Sequence, residues 1–279
     1  MVVSSVGGGG STEPRTSVLE HLGFDERRTL AYASAIGHEF DFPLLVASAH
    51  RPEEALAEQL ERLTHLGVLR ESSGGDRFGF VAESSRTWVY RTLTASRLRV
   101  IHRNIADAME HLYPEAPPEI VADLGRHYFL GRVPEKSYRY NRRAAELARA
   151  DDLPEVAAHH LERARIDLAQ LPGEHRPEEA QLSTDLADLY YRSGDFAGAS
   201  RLYDQALEES APEATELRGR IVLAQAELAR DRAQSEDALR QARNARLLFE
   251  KTRNDAGLGS VHRILGRVAY ERARALPKL

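Results

Sequence analysis

The chain has 279 residues, of which 42% are hydrophobic and 29% charged, with a formal net charge of −5 at pH 7 and no cysteine. The near balance of charge argues against a general nucleic-acid coat or a polybasic membrane binder. The lack of thiols excludes disulfides, thiolate catalysis and cysteine-ligated metal. No apolar run reaches the ~20 residues that a membrane helix needs, and the N-terminus lacks the features of a secretory signal, so a cytoplasmic location is expected.

Residues 1–18 read as a flexible leader around the run Gly7-Gly8-Gly9-Gly10-Ser11. A P-loop needs a lysine at its end, and the first lysine is Lys136. A first helix is expected from an N-cap at Asp25, through Leu30, Ala33 and Ile36, to a stop at Gly37. Asp41 is placed to cap a short second helix. Pro52 opens a third, with Leu56, Leu60, Leu63 and Leu66 at helical spacing and Gly67 as its end. The period then changes: Val68 to Glu71, a Ser-Gly turn, and Arg77 to Val81 predict a hairpin. Helices over about 84–93 and 95–113 follow, ended by Pro114, Pro117 and Pro118. Three helices and a hairpin in this order predict a winged-helix-like domain over 19–117.

Beyond Pro118 the pattern is helical throughout. Helices are expected at 119–130, 135–150, 154–170, 178–192, 195–209, 213–230, 233–252 and 256–276, with breaks at Gly131, Asp151-Asp152, Pro172-Gly173, Gly194, Pro212 and Gly257. Leu186-Ala187, Tyr190, Gly194-Asp195, Ala199, Tyr203 and Ala206 stand at the offsets of a tetratricopeptide (TPR) helix pair. Aligning the other first helices gives Ala145, Ala224 and Gly266, at uneven spacing. The helix at 135–150 fits either as the second helix of one pair or the first of the next. The predicted fold is therefore mainly α: a winged-helix-like domain with one small β-hairpin, followed by a TPR-like α-α superhelix over 118–279.

This order of parts resembles STAND-class regulatory ATPases. The resemblance rests on Asp25 to Arg28, Ala33 to Asp41, Glu54 to Leu69, Val89-Tyr90, Leu93, and Arg99 to His102 before Ala106, Ala108 and Tyr113, with TPR-like repeats after them. It implies a signal-relay role in which the winged helix packs against a nucleotide-binding domain and the repeats receive the signal. That nucleotide-binding domain has no counterpart in these residues, so either a part of a longer regulator or a free-standing relative is implied. The segment after the hairpin, Phe80-Val81-Ala82-Glu83, lacks the histidine that the family often carries there.

The first helices of the repeats line the concave side of a TPR array. The expected partner-binding groove comprises Arg139, Arg142 and Arg149, then Thr184, Asp188, Tyr191 and Arg192, then Gln225, and finally Arg263, Arg267 and Tyr270. Arginine and tyrosine are common interface anchors, and arginine pairs well with carboxylate. The expected partner is thus a protein or acidic peptide, a nucleotide-binding domain, or a second copy. The third helix carries Glu53, Glu54, Glu58 and Glu61 against Arg62 and would repel DNA. Arg86, Arg91, Arg97, Arg99 and Arg103 form a possible basic patch, the basis of an alternative reading as a DNA-binding transcription regulator. No enzyme activity, metal or cofactor is expected. His159 and His160 are adjacent and point about 100° apart on a helix, and His102 and His111 do not share a helical face.

Overall fold

The computed structural model describes residues 16–275 apart from Ser73 and Gly75. Most of the expected leader, residues 1–15, lies outside the described residues. The chain divides into two compact units, the first ending at Val133 and the second beginning at Pro134.

The first unit opens with α1 (Thr16–Glu20) and α2 (Phe24–Ile36). The N-cap of α2 is Gly23 rather than Asp25. The Gly23 N–H donates to Glu26 Oε2 at 2.6 Å, and the buried Glu26 carboxylate also meets Arg62 at 2.8 Å. Asp25 lies in the first turn and pairs with Arg51 at 3.1 Å. Next come β1 (Glu39–Asp41), α3 (Phe42–Ala49), α4 (Glu53–His65), β2 (Leu69–Glu71) and β3 (Arg77–Phe80). The expected hairpin is present, and β1 completes an antiparallel sheet of order β1-β3-β2. Phe40 opposes Phe78, and Leu69 opposes Phe80. Leu56, Leu60 and Leu63 of α4 are buried as the spacing predicts, while Leu66 is 41% exposed beyond the helix end.

The first unit closes with α5 (Glu83–Arg91), α6 (Ala95–Leu112) and α7 (Pro118–Gly131). Thr94 caps α6, accepting from the Arg97 N–H at 3.3 Å. Ile101, Ile105, Ala108 and Met109 are buried. Helix α7 packs on α6 and falls within the first unit. At Gly131 the helices approach so closely that a Cβ would sit 3.0 Å from the Arg103 nitrogen.

In the second unit α8 (Pro134–Ala150) pairs with α9 (Pro154–Leu168), α10 (Arg176–Arg192) with α11 (Phe196–Glu209), and α12 (Thr215–Asp231) with α13 (Ser235–Thr252). Helix α14 (Asp255–Ala275) packs on α13 and α12. The helix at 135–150 is thus the first of a pair. Each pair is built on three buried alanines at one spacing: Ala145, Ala157 and Ala164; Ala187, Ala199 and Ala206; Ala226, Ala238 and Ala245. These small residues let paired helices approach closely. In α12 the fully buried alanine is Ala226, two residues beyond the aligned Ala224, which is only partly buried. Gly266 has nothing within 4 Å of where a Cβ would stand. The packed glycines are Gly219 of α12 and Gly257 of α14, whose Cβ positions lie 2.8 and 2.7 Å from the Phe249 ring.

Phe249 is buried and held between those glycines. Gly257→Ala should therefore lower the melting temperature, because overpacking costs about 1–3 kcal/mol against a helix-propensity gain of at most ~1 kcal/mol. In a Phe249→Leu background the same substitution should become neutral or stabilising. Thermal melts of the four chains check this, and a loss in both backgrounds would rule out the ring contact as the cause.

Candidate interaction surface

Side-chain pairs join successive first helices of the second unit. Arg149 of α8 meets Asp185 of α10 at 3.3 Å. Arg192 of α10 meets Asp152, in the turn after α8, at 2.5 Å. Tyr191 of α10 donates to Asp231 at the end of α12, and Arg230 pairs with the same carboxylate at 2.7 Å. Burial opposes the Asp231 charge, yet the hydrogen bonds from Tyr191 and Arg230 hold its carboxyl below the ordinary range. Burial and the bond to Asp231 together push the Tyr191 hydroxyl up to about 12.

The expected groove residues therefore separate into groups. Arg142, Arg149, Tyr191 and Arg192 lie on α8 and α10, Arg142 donating to the Tyr138 hydroxyl at 3.4 Å and standing 3.8 Å from Glu146. Arg139 lies over the Tyr140 ring at 4.8 Å. Asp188 turns into its own hairpin and accepts from the Tyr203 hydroxyl at 2.7 Å; burial raises its carboxyl pKa. Thr184 is buried and bonds back to the Ala180 carbonyl. Gln225 reaches α11, donating to Asp204 at 2.8 Å. On α14, Arg263, Arg267 and Tyr270 are exposed, with Arg274 5.8 Å from the Tyr270 ring. The acidic half of the ladder was not read from sequence as such: Asp152 was named only as part of a helix break, and Asp185 and Asp231 not at all. Its signal there is weak, because the acids lie about one repeat from their partners.

In the basic stretch, Arg86 pairs with Glu83 at 2.6 Å and donates to the Ser34 carbonyl, and Arg103 donates to the Gly131 carbonyl at 3.3 Å. Arg91, Arg97 and Arg99 are exposed. His160 is buried and its Nδ1–H donates to Asn141 Oδ1 at 2.8 Å, whereas His159 is exposed. Among the described residues no group of three or more His, Asp or Glu is placed to hold a metal ion, and no helix is long and apolar enough to cross a membrane.

The first unit also buries a hydrogen-bonded chain that the spacing did not reveal. Tyr90 of α5, His102 of α6 and His127 of α7 are linked through Tyr90 Oη to His102 Nε2 and His102 Nδ1 to His127 Nδ1, each 2.9 Å. His127 Nε2 lies 2.8 Å from Arg126 Nη2. A guanidinium only donates, so His127 Nε2 accepts and its proton sits on Nδ1. That N–H donates to His102 Nδ1, and His102 Nε2–H donates to Tyr90. Burial first, and then the Arg126 charge, lowers the His102 pKa to about 4. Burial, Arg126 and His102 hold His127 well below the ordinary range.

The helix pairs and their buried alanines make the second unit a TPR-like array within a mainly α chain. No protein-family model matches the chain, and no curated protein matches it. Among solved structures, the chain is similar to a Signal Transduction ATPase with Numerous Domains (STAND) protein with a tetratricopeptide repeat sensor from Pyrococcus horikoshii, at 12% identity and a TM-score of 0.32. The match covers 96% of this chain and 50% of that one, so the chain spans half the length of that protein.

The two units should respond differently to acid. His102 takes its proton near 4 in the fold and near the ordinary 6.5 when unfolded, so the unfolded chain binds protons first. Stability of the first unit is then lost as pH falls from 6.5 to 4, by about 3 kcal/mol from His102 alone. In the second unit His160, lowered to about 4 by burial, acts in the same direction. Asp167 opposes it: burial raises its carboxyl to about 6, so the fold holds that proton and gains stability as pH falls below 6. Hydrogen exchange at pH 7 and pH 5 should show α6 and α7 losing protection ahead of α8 and α9; equal loss would refute the assignment.

Proposed function

We propose that the chain is a non-catalytic protein-interaction and signal-relay module of a STAND-type regulator, working in the cytoplasm without metal or cofactor. The observation that carries this reading is the ladder joining α8, α10 and α12 through Arg149–Asp185, Arg192–Asp152 and Tyr191–Asp231. A partner that engages one hairpin acts on groups shared with the next. The first unit is read as a winged helix because α2, β1, α3, α4, β2 and β3 follow one another in that fold's order, with β1-β3-β2 pairing.

The partner is proposed to be a protein or acidic peptide, with a nucleotide-binding domain or a second copy as specific forms of it. Its carboxylates would replace Asp152 and Asp185 on Arg192 and Arg149. Asp152 and Arg192 are 82% and 49% exposed, and exposed pairs are worth only about 0–1 kcal/mol. Exchange at that pair therefore costs little, while Asp185, 17% exposed, is the more firmly held of the two.

Immobilised acidic peptides, screened beside sequence-matched neutral ones, test the groove. The acidic set should bind the chain and weaken as salt rises. Arg149→Glu with Arg192→Glu should abolish that binding without changing the fold by circular dichroism. Equal capture by neutral peptides, or unchanged capture by the double variant, would sink the proposal. DNA binding through the exposed Arg91, Arg97 and Arg99 is a second reading. A gel shift with no retardation even at low salt removes it.

A further inference from the structure

In the first unit a cavity of about 350 Å³ opens between α4 and the sheet. Its apolar walls include Phe42 and Phe78, whose ring centroids stand 6.3 Å apart at 59°. Phe78 is buried and Phe42 half-buried. Glu61 and Glu71 also line the cavity, and both are exposed. An aromatic wall beside carboxylates favours a cation over a neutral or anionic guest, through the ring quadrupole and direct charge attraction.

Arg51, Arg62, Arg70 and Arg77 of the same unit pair with Asp25, Glu26, Glu39 and Asp41, respectively. Among the described residues no ion pair engages Glu61 or Glu71. Two further polar groups line the cavity. Thr64 Oγ1 is buried with no hydrogen-bond partner. His65 Nδ1–H donates to the Glu61 carbonyl at 2.9 Å, which leaves Nε2 as the lone-pair nitrogen of the neutral ring. A buried hydroxyl without a partner costs free energy unless something bonds to it.

We propose that this cavity binds a primary alkylammonium group, its methylenes against Phe42 and Phe78 and its charge between Glu61 and Glu71. An ammonium has three donors and no acceptor, and this lining offers acceptors and holds no arginine or lysine. A hard divalent cation fits less well, since it takes oxygen ligands on most sides and the phenyl walls supply none. The guest is either a free small amine or the lysine side chain of another protein.

Titration of n-butylammonium into the full chain, followed by NMR shifts of the phenylalanine rings, tests the site. Saturable binding is expected, and n-butanol at the same concentration should not reproduce it. Glu61→Gln with Glu71→Gln should weaken the amine about tenfold or more, with no change in the melting temperature because both side chains are exposed. Phe42→Leu, which keeps the apolar wall but removes the ring face, should weaken the amine several-fold and leave n-butanol unaffected. The peptide Gly-Gly-Lys-Gly-Gly separates the two sources. Tighter binding than n-butylammonium assigns a lysine side chain; equal or weaker binding assigns a free amine. Equal response to n-butanol, or a double glutamine variant that binds the amine like the parent chain, overturns the proposal.

Discussion

The second unit depends on one constraint: no helix pair in it closes its own core. One hydrophobic cluster joins the α8–α9 pair to Leu182, Leu186 and Leu189 of α10. Another joins α10–α11 to Ile221 and Leu228 of α12. A further one joins α12–α13 to Val261, Ile264 and Val268 of α14. Each pair is therefore completed by the first helix of the next, so stability is passed between neighbours rather than held centrally. The alanine triads follow from this. A first helix must pack against its own partner and against the preceding pair, and large side chains on both faces would hold the helices apart. The polar residues that remain on the first helices lie near one another across pairs, and the Arg149, Arg192 and Tyr191 contacts result.

The first unit solves its packing differently. Its helices α5, α6 and α7 meet over two neutral imidazoles that are satisfied only by each other and by their neighbours. Burial makes any added proton costly, and Arg126 fixes which nitrogen carries the existing one. A buried network of this kind is sound only when every member is paired. The close approach of α6 and α7 at Gly131 leaves no room for a side chain that would separate them.

Helix positions were legible because breaks at Gly, Pro and Asp-Asp coincide with changes of apolar period. The strand β1 was not, since its residues between a glycine stop and a helix cap carry no alternation long enough to read. The N-cap at Asp25 was misplaced because the real cap uses the Glu26 side chain on a glycine N–H. The repeat register in α12 was misread by two residues for a simple reason. The spacing within each pair is constant, but the links between pairs vary, and α12 offers both Ala224 and Ala226 as the small residue. Fixing on Ala238 and Ala245 and counting backward recovers Ala226. The histidine chain and the acids of the ladder join residues far apart in sequence. Only the packing of helices brings them together.

Charge is where sequence composition misleads most. The abundance of arginine suggests a surface searching for acids, yet the structure has already supplied many of them with partners of its own. Arg149, Arg192 and Arg230 bind carboxylates within the array, and Arg86 binds Glu83. Pairing leaves the opposite sign exposed elsewhere. Helix α4 carries Glu53, Glu54, Glu58 and Glu61, and Glu71 follows on β2. Phosphates would be repelled there, whereas a cation would find both charge and an aromatic wall. The informative residues of a nearly neutral protein are thus those left without an internal partner, rather than those most numerous in its sequence.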